Sequence, residues 1–125
     1  MLIRATHSRD KESIIQLIAQ FRVSLANLQG KSVSPDLESA KNELNSYQDR
    51  EYPIFVAQKD SELVGYLVCR IEGDVIWAES LYVVPGYRRQ GIGSALYKKA
   101  ENLAEELGGE IVYNWVHPNN HRVIQ

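Results

Sequence analysis

Tyr87–Ala100 reads YRRQGIGSALYKKA: two arginines and a glutamine run into two glycines one residue apart, and a helical pattern begins at once. The apolar run VIWAESLYVV, Val75–Val84, comes just before it, and Pro85 and Gly86 stop that run. The segment is therefore a strand, a sharp turn and a helix entrance. Such an entrance leaves backbone N–H groups without partners and carries the positive end of the helix dipole. Gly91 and Gly93 put no side chain in the way of an approaching anion, and Arg88 and Arg89 add fixed charge and forked donors. Phosphate is the guest that this chemistry suits. A glycine-rich turn with solvated arginines is the other reading, and the short motif alone leaves both open. Two better-known motifs are excluded. Gly86 and Gly91 have P-loop spacing, but Ile92 and Gly93 stand where lysine and Ser or Thr are needed; a dinucleotide fingerprint would need glycine where Leu96 stands.

Working outward, the chain predicts an order of βααβββαβα. Leu2–Thr6 alternates like a strand. Ser8 or Asp10 offers an N-cap to a helix whose apolar face is Ile14, Leu17, Ile18, Phe21, Leu25 and Leu28, and Gly30 ends it. Ser34 and Pro35 open a second, polar helix to about Tyr47, expected on the surface. Pro53 leads into PIFVAQK, KDSE turns the chain at Lys59–Glu62, and LVGYLVCRI, Leu63–Ile71, completes an antiparallel hairpin. Val75–Val84 is a third consecutive strand. A helix from Gly91 to Leu107 follows, with Ile92, Leu96, Ala100, Leu103 and Leu107 on one face; Gly108 and Gly109 close it. EIVYNWVH is the last strand, and Asn119 or Asn120 can cap a final helix. The strand–helix–strand passage from Val75 to His117 predicts a right-handed parallel crossover. The fold class is α/β (α+β): a mixed, mostly antiparallel sheet flanked by helices, as one domain over residues 1–125.

The composition, 44% hydrophobic and 24% charged with a net charge of −2, is that of a soluble globular chain and supplies no basic field for nucleic acid. No apolar run is long enough to span a bilayer and no signal peptide is evident, so a cytoplasmic address is the default. The lone Cys69 allows no internal disulfide and alternates as a core residue. His117 and His121 are four apart, but Pro118 lies between them with no third ligand nearby, so no metal is expected. Trp77 and Trp115 read as packing between facing strands. Asp36, Glu38, Glu43, Asp49 and Glu51 make the second-helix region acidic, as a solvated face or as a wall for a cationic amine.

Three linked features, ESLYVVPGYRRQGIGSAL (Glu79–Leu96), the order of elements and VHPNNHRVI (Val116–Ile124), resemble the GNAT acetyltransferase superfamily. Arg88, Arg89, Gln90, Gly91, Ile92 and Gly93 stand as its signature of Arg or Gln, two variable residues, Gly, one variable residue, then Gly or Ala. The resemblance covers nearly the whole chain and implies acetyl-CoA as donor, its diphosphate held by backbone amides from Arg88 to Gly93. It implies that the pantetheine arm pairs like an extra strand along Leu81, Tyr82 and Val83, between splayed strands, and that Asn120 contacts the cofactor.

Acetyl transfer to an amine needs a neutral nucleophile. An alkyl amine is neutral in about one molecule in 2,500 at pH 7, a deficit of about 4.6 kcal/mol. Glu79 interrupts an apolar strand and matches a glutamate that resembles a base in some relatives; a structural pair with an arginine is the equal alternative. A backbone N–H near Val83 is the expected donor to the developing oxyanion. The tyrosine that many relatives use as acid falls two residues beyond Gln125, so no general acid is assigned. The family usually continues beyond this point, so strand 110–116 is expected to present an open edge, either covered by a second copy in a homodimer or left open in a truncated, weakened protein. The sequence thus predicts an N-acetyltransferase with a small-molecule or peptide amine acceptor, with a non-catalytic acyl-CoA-binding module as the alternative.

Overall fold

The computed structural model describes residues 1–73 and 75–113, with residues 110–113 described by their backbone. The elements are β1 (Leu2–Ala5), α1 (Lys11–Leu28), α2 (Leu37–Asp49), β2 (Ile54–Lys59), β3 (Glu62–Glu72), β4 (Val75–Val83), α3 (Ile92–Glu106) and β5 (Glu110–Tyr113). Short 3-10 turns lie at Ser8–Asp10 and Pro85–Tyr87. The expected order holds through β5. The expected final helix, Asn120, both histidines at 117 and 121, Trp115 and the rest of strand 110–116 lie outside the described residues.

The sheet runs β1-β2-β3-β4-β5. The first four strands are mutually antiparallel and β5 is parallel to β4, as a strand–helix–strand crossover requires. Lys59 pairs with Glu62 across a tight turn in which Asp60 takes φ 56, a conformation that Asp tolerates better than most side chains.

Alternation along the strands fills two cores, one on each face. Ile54, Val56, Tyr66, Val68 and Tyr82 pack against α1 and α2. Val64, Leu67, Cys69, Ile76, Ala78 and Leu81 pack against α3. Cys69 is fully buried, and burial pushes its thiol up to about 12. Tyr66 is buried too, and its hydroxyl shares a 2.9 Å hydrogen bond with Ser80. No helix among the described residues is long and apolar enough to cross a membrane.

Three local expectations are corrected. α2 begins at Leu37, not Pro35, because the Asp36 side chain accepts from the Ser39 N–H at 3.0 Å and acts as the cap. It is also more than a surface helix, since Ala40 and Leu44 are fully buried against α1 and the sheet. Leu107 lies past the last turn of α3 and is exposed; Ala104 takes the core position instead.

Asp10 stands at the N-cap of α1, one of the two positions expected, but its side chain makes no hydrogen bond into that helix. Its carboxylate accepts from Arg4 Nη1 and Nη2 at 2.8 and 3.0 Å and from the His7 N–H at 2.7 Å, tying β1 to the entrance of α1. Arg4 also donates to Gln58 of β2 at 2.8 Å. The Arg4 guanidinium holds the Asp10 carboxyl down at about 2. A carboxyl depressed in the folded state stabilises above its unfolded value, and that contribution is lost as pH falls from about 4 through about 2. The pair should be worth about 2 kcal/mol at neutral pH. Urea unfolding of Asp10→Asn should show that deficit at pH 7, and the gap to the parent should close towards pH 2; a gap of constant size would refute the linkage.

Candidate active site

Among the described residues, β4 is paired on both sides only in its first half. Its ladder to β5 runs from Val75–Glu110 to Ala78–Tyr113, whereas its ladder to β3 continues to Val83. Among the described residues, Glu79–Val83 thus have no strand on the β5 flank. The Val84 N–H donates to Val64 O at 2.9 Å. Antiparallel alternation then turns the backbone groups of Tyr82 and Ser80 towards β3 and those of Leu81 and Val83 towards the open flank. The carbonyl of Val83 is taken by Arg88 Nε at 2.9 Å.

The register slips between Val68–Ser80 and Cys69–Ala78, which makes Glu79 the extra residue of a β-bulge. The bulge reverses the alternation: Ala78 packs on the α3 side, whereas Ser80 reaches Tyr66 on the α1 and α2 side. It also re-aims Glu79, whose Oε1 accepts from Arg70 Nε at 3.1 Å. Arg70 lies over the Trp77 ring, 4.9 Å from its centroid, and also pairs with Glu72.

The loop after β4 is shaped by backbone conformation. Arg89 takes φ 66 and Gly91 φ 78. For Arg89 that left-handed geometry costs about 1–2 kcal/mol; for glycine it costs little. Gly91 is the N-cap of α3 and supplies no side-chain hydrogen bond. The first helical bond runs from the Ala95 N–H to Gly91 O. The N–H groups of Ile92, Gly93 and Ser94 therefore start the helix unsatisfied by it, with the dipole behind them.

These parts line one cavity of about 770 Å³. Leu81, Tyr82 and Val83 of β4, Arg88, Arg89 and Gly91 of the loop, and Ile92 and Gly93 of α3 all border it. Gln90 is exposed in the loop and does not. Glu79 does not line it either, and its partner is the arginine of the alternative reading. Tyr82 and Ile92 need a distinction that the sequence did not make. Their side chains are core residues, so only the Tyr82 ring edge and the Ile92 backbone are available to a guest. Asn120 lies outside the described residues.

Sequence reasoning missed the opposite wall. Phe21, Ser24, Leu25, Asn27 and Leu28 of α1 border the cavity, with Tyr87, Ser94 and Tyr97 on the other side. The Phe21 ring stacks on Tyr82 with centroids 5.3 Å apart. Arg88 sits 5.6 Å over the other end of that pair, on Tyr82, and Lys59 sits 5.3 Å over Tyr87. The available signal was that the apolar face of α1 runs on through Phe21, Leu25 and Leu28 to the end of the helix. No group of His, Cys, Asp and Glu among the described residues is arranged to hold a metal.

The loop geometry has a direct test. A Cβ meets nothing within 4 Å at either Gly86 or Gly91, but only Gly91 has positive φ. Gly91→Ala should therefore lower stability by about 1 kcal/mol, while Gly86→Ala should be neutral within about 0.5 kcal/mol. Equal urea midpoints for the two variants would contradict the loop conformation.

The profile described as the acetyltransferase (GNAT) family matches residues 20–125. An uncharacterized N-acetyltransferase of Archaeoglobus fulgidus is 32% identical over 76 residues, covering 55% of this chain and 52% of that protein. The chain thus spans about half the length of that curated relative. Among solved structures, a ribosomal-protein-alanine N-acetyltransferase from Brucella melitensis biovar Abortus has a TM-score of 0.72 at 25% identity, over 99% of this chain and 88% of the other. An aminoglycoside N-acetyltransferase in complex with CoA has a TM-score of 0.68 at 19% identity, over 97% and 84%, a likeness of fold alone. With the family profile covering most of its length, this chain belongs to the acetyltransferase (GNAT) family.

Proposed function

We propose that this chain transfers an acetyl group from acetyl-CoA to an amine. The observation that carries the reading is the junction of β4 and α3: unsatisfied helix-start amides and two arginines border the same cavity as the open backbone of Leu81 and Val83. That combination fits the donor's two recognisable parts. The amides of Ile92, Gly93 and Ser94 suit its diphosphate, with Gly91 and Gly93 leaving room for close approach. Arg88 and Arg89 add charge, and Gln90 closes the turn. The Leu81 and Val83 edge suits the amide-bearing arm, which would pair there like a strand. Acetyl-CoA, once bound, supplies an activated acyl group as a thioester.

The residues then have separable tasks. The Val83 N–H, pre-aimed at the open flank, stabilises the acyl oxygen as it gains charge. The strand is held rigidly by β3, so that donor does not have to be oriented during the reaction. Glu79, anchored by Arg70 on the bulge, takes the proton of the incoming ammonium, through water if the separation requires it. Asn120 remains a candidate donor contact from the sequence. The same reading places the protein in the cytoplasm as a single catalytic domain, where a reducing environment suits a buried lone thiol.

The second reading is a non-catalytic acyl-CoA-binding module. Its support is specific: Glu79 is engaged by Arg70 and does not border the cavity. Calorimetry with acetyl-CoA tests what the two share, and Gly93→Val isolates the site. A Cβ at Gly93 would find only Leu81 Cδ2, 4.0 Å away, so the fold accepts it, while the branched side chain blocks the amides. The loss of even one charge-assisted bond predicts a drop in affinity of about tenfold or more. Unchanged affinity would remove the anion site from this loop. Thiol release on a panel of amines separates catalysis from binding. Glu79→Gln should lower turnover by about 100-fold with the acetyl-CoA affinity retained; full turnover in that variant would dismiss Glu79 as the base.

A further inference from the structure

The cavity has two walls of different chemistry, on opposite sides of the open flank of β4. One is the loop and the start of α3, which bears the arginines. The other is the last two turns of α1, which contributes Phe21, Leu25 and Leu28 with the uncharged Ser24 and Asn27. Among the described residues bordering the cavity, Arg88 and Arg89 are the charged side chains, and no carboxylate is present.

Of the acidic residues near α2, which the sequence offered as a wall for a cation, none borders the cavity, and Asp36 and Glu43 are engaged elsewhere. Asp36 caps its own helix through Ser39. Glu43 Oε1 accepts from Arg22 Nε and Nη2 at 2.9 and 2.6 Å, and its Oε2 accepts from the Tyr47 hydroxyl at 2.6 Å. Glu38 borders a separate, smaller hollow between α1 and α2. A polycation entering the main cavity would meet positive charge on one side and hydrocarbon on the other, at a cost in desolvation with no ion pair to offset it.

We propose, resting on the acetyl-transfer reading above, that the acceptor is a monoamine with an uncharged, ring-sized apolar body. The body lies against Phe21, Leu25 and Leu28, and the single nitrogen points to the open flank at Val83. Phe21 is pre-ordered by its stacking on Tyr82 with an interplanar angle of 23°, so an aromatic face is presented without a loss of rotamer freedom on binding. Leu28 is 46% exposed at the rim, where an apolar guest would cover it. Transfer forms the amide bond between acyl carbon and nitrogen, breaks the thioester, sends the thiolate away with CoA and leaves the amine's proton with the base.

The test compares 2-phenylethylamine with spermidine and kanamycin at saturating acetyl-CoA, read as thiol release. The expected kcat/KM for 2-phenylethylamine is about tenfold or more above either polycation, the scale on which apolar pockets discriminate. Equal or better use of a polycation overturns the proposal. Leu28→Glu alters an exposed rim position, so the fold is kept. It should shift the ratio of 2-phenylethylamine to spermidine by about tenfold towards spermidine, with the KM for acetyl-CoA unchanged; an unmoved ratio also overturns the proposal. Saturation-transfer NMR of 2-phenylethylamine reads the same wall without turnover, in the presence or absence of CoA. Contacts that weaken in Phe21→Ala are expected, and no contact with the parent protein sinks the inference. Failure of acetyl-CoA to bind in calorimetry would instead bring down the acetyl-transfer reading, with the NMR result still deciding the apolar wall.

Discussion

β4 is held by β3 to its end but, among the described residues, by β5 only as far as Ala78, and the candidate site depends on this pairing. A strand with partners on both flanks would spend every backbone group on the sheet. Here Leu81 and Val83 keep theirs turned outward, and one carbonyl is satisfied locally by Arg88. That bond does two things at once: it covers an exposed acceptor and pulls the loop back over the strand, so that the start of α3 sits beside the open flank.

The bulge at Glu79 belongs to the same arrangement. One extra residue in β4 changes which face each later side chain serves. It sends Ser80 to the Tyr66 hydroxyl and Tyr82 to Phe21, so the second half of the strand is locked to the α1 side by a buried hydrogen bond and a ring stack. Leu81 is left on the α3 side, under Ile92 and Leu96. The second half of β4 is therefore supported from both faces of the sheet. At Arg89 in the loop a left-handed backbone turns the chain from strand to helix in few residues.

Much of this was legible in the sequence, and for definite reasons. The hairpin of β2 and β3 announced itself through strand alternation around KDSE, and the extent of α3 through glycines at both ends. The junction of β4, loop and α3 was legible because it is local: strand end, turn and helix start are consecutive, so their geometry follows from neighbouring residues. The start of α2 was misplaced because Pro35 is permissive at a helix entrance, whereas the Asp36 side chain makes the actual hydrogen bond. Glu79 was singled out correctly as an anomaly in an apolar strand. Its bulge was invisible, because a bulge is a property of two strands in register and no single strand encodes it.

The sequence by itself determined the succession of elements, the two-faced sheet and the glycine-rich entrance of α3. All of these rest on periodicity, turn chemistry and the positions of glycine within short spans. The tertiary structure decided what stands across from that entrance. Phe21, Leu25 and Leu28 read as ordinary core positions of α1; they become a cavity wall because the fold brings the end of α1 to the same cavity as the loop and the start of α3. Glu43 of α2 is likewise committed by a contact over long sequence separation, to Arg22. Which residues remain to meet a second substrate follows from packing between distant segments, and local sequence carries no record of it.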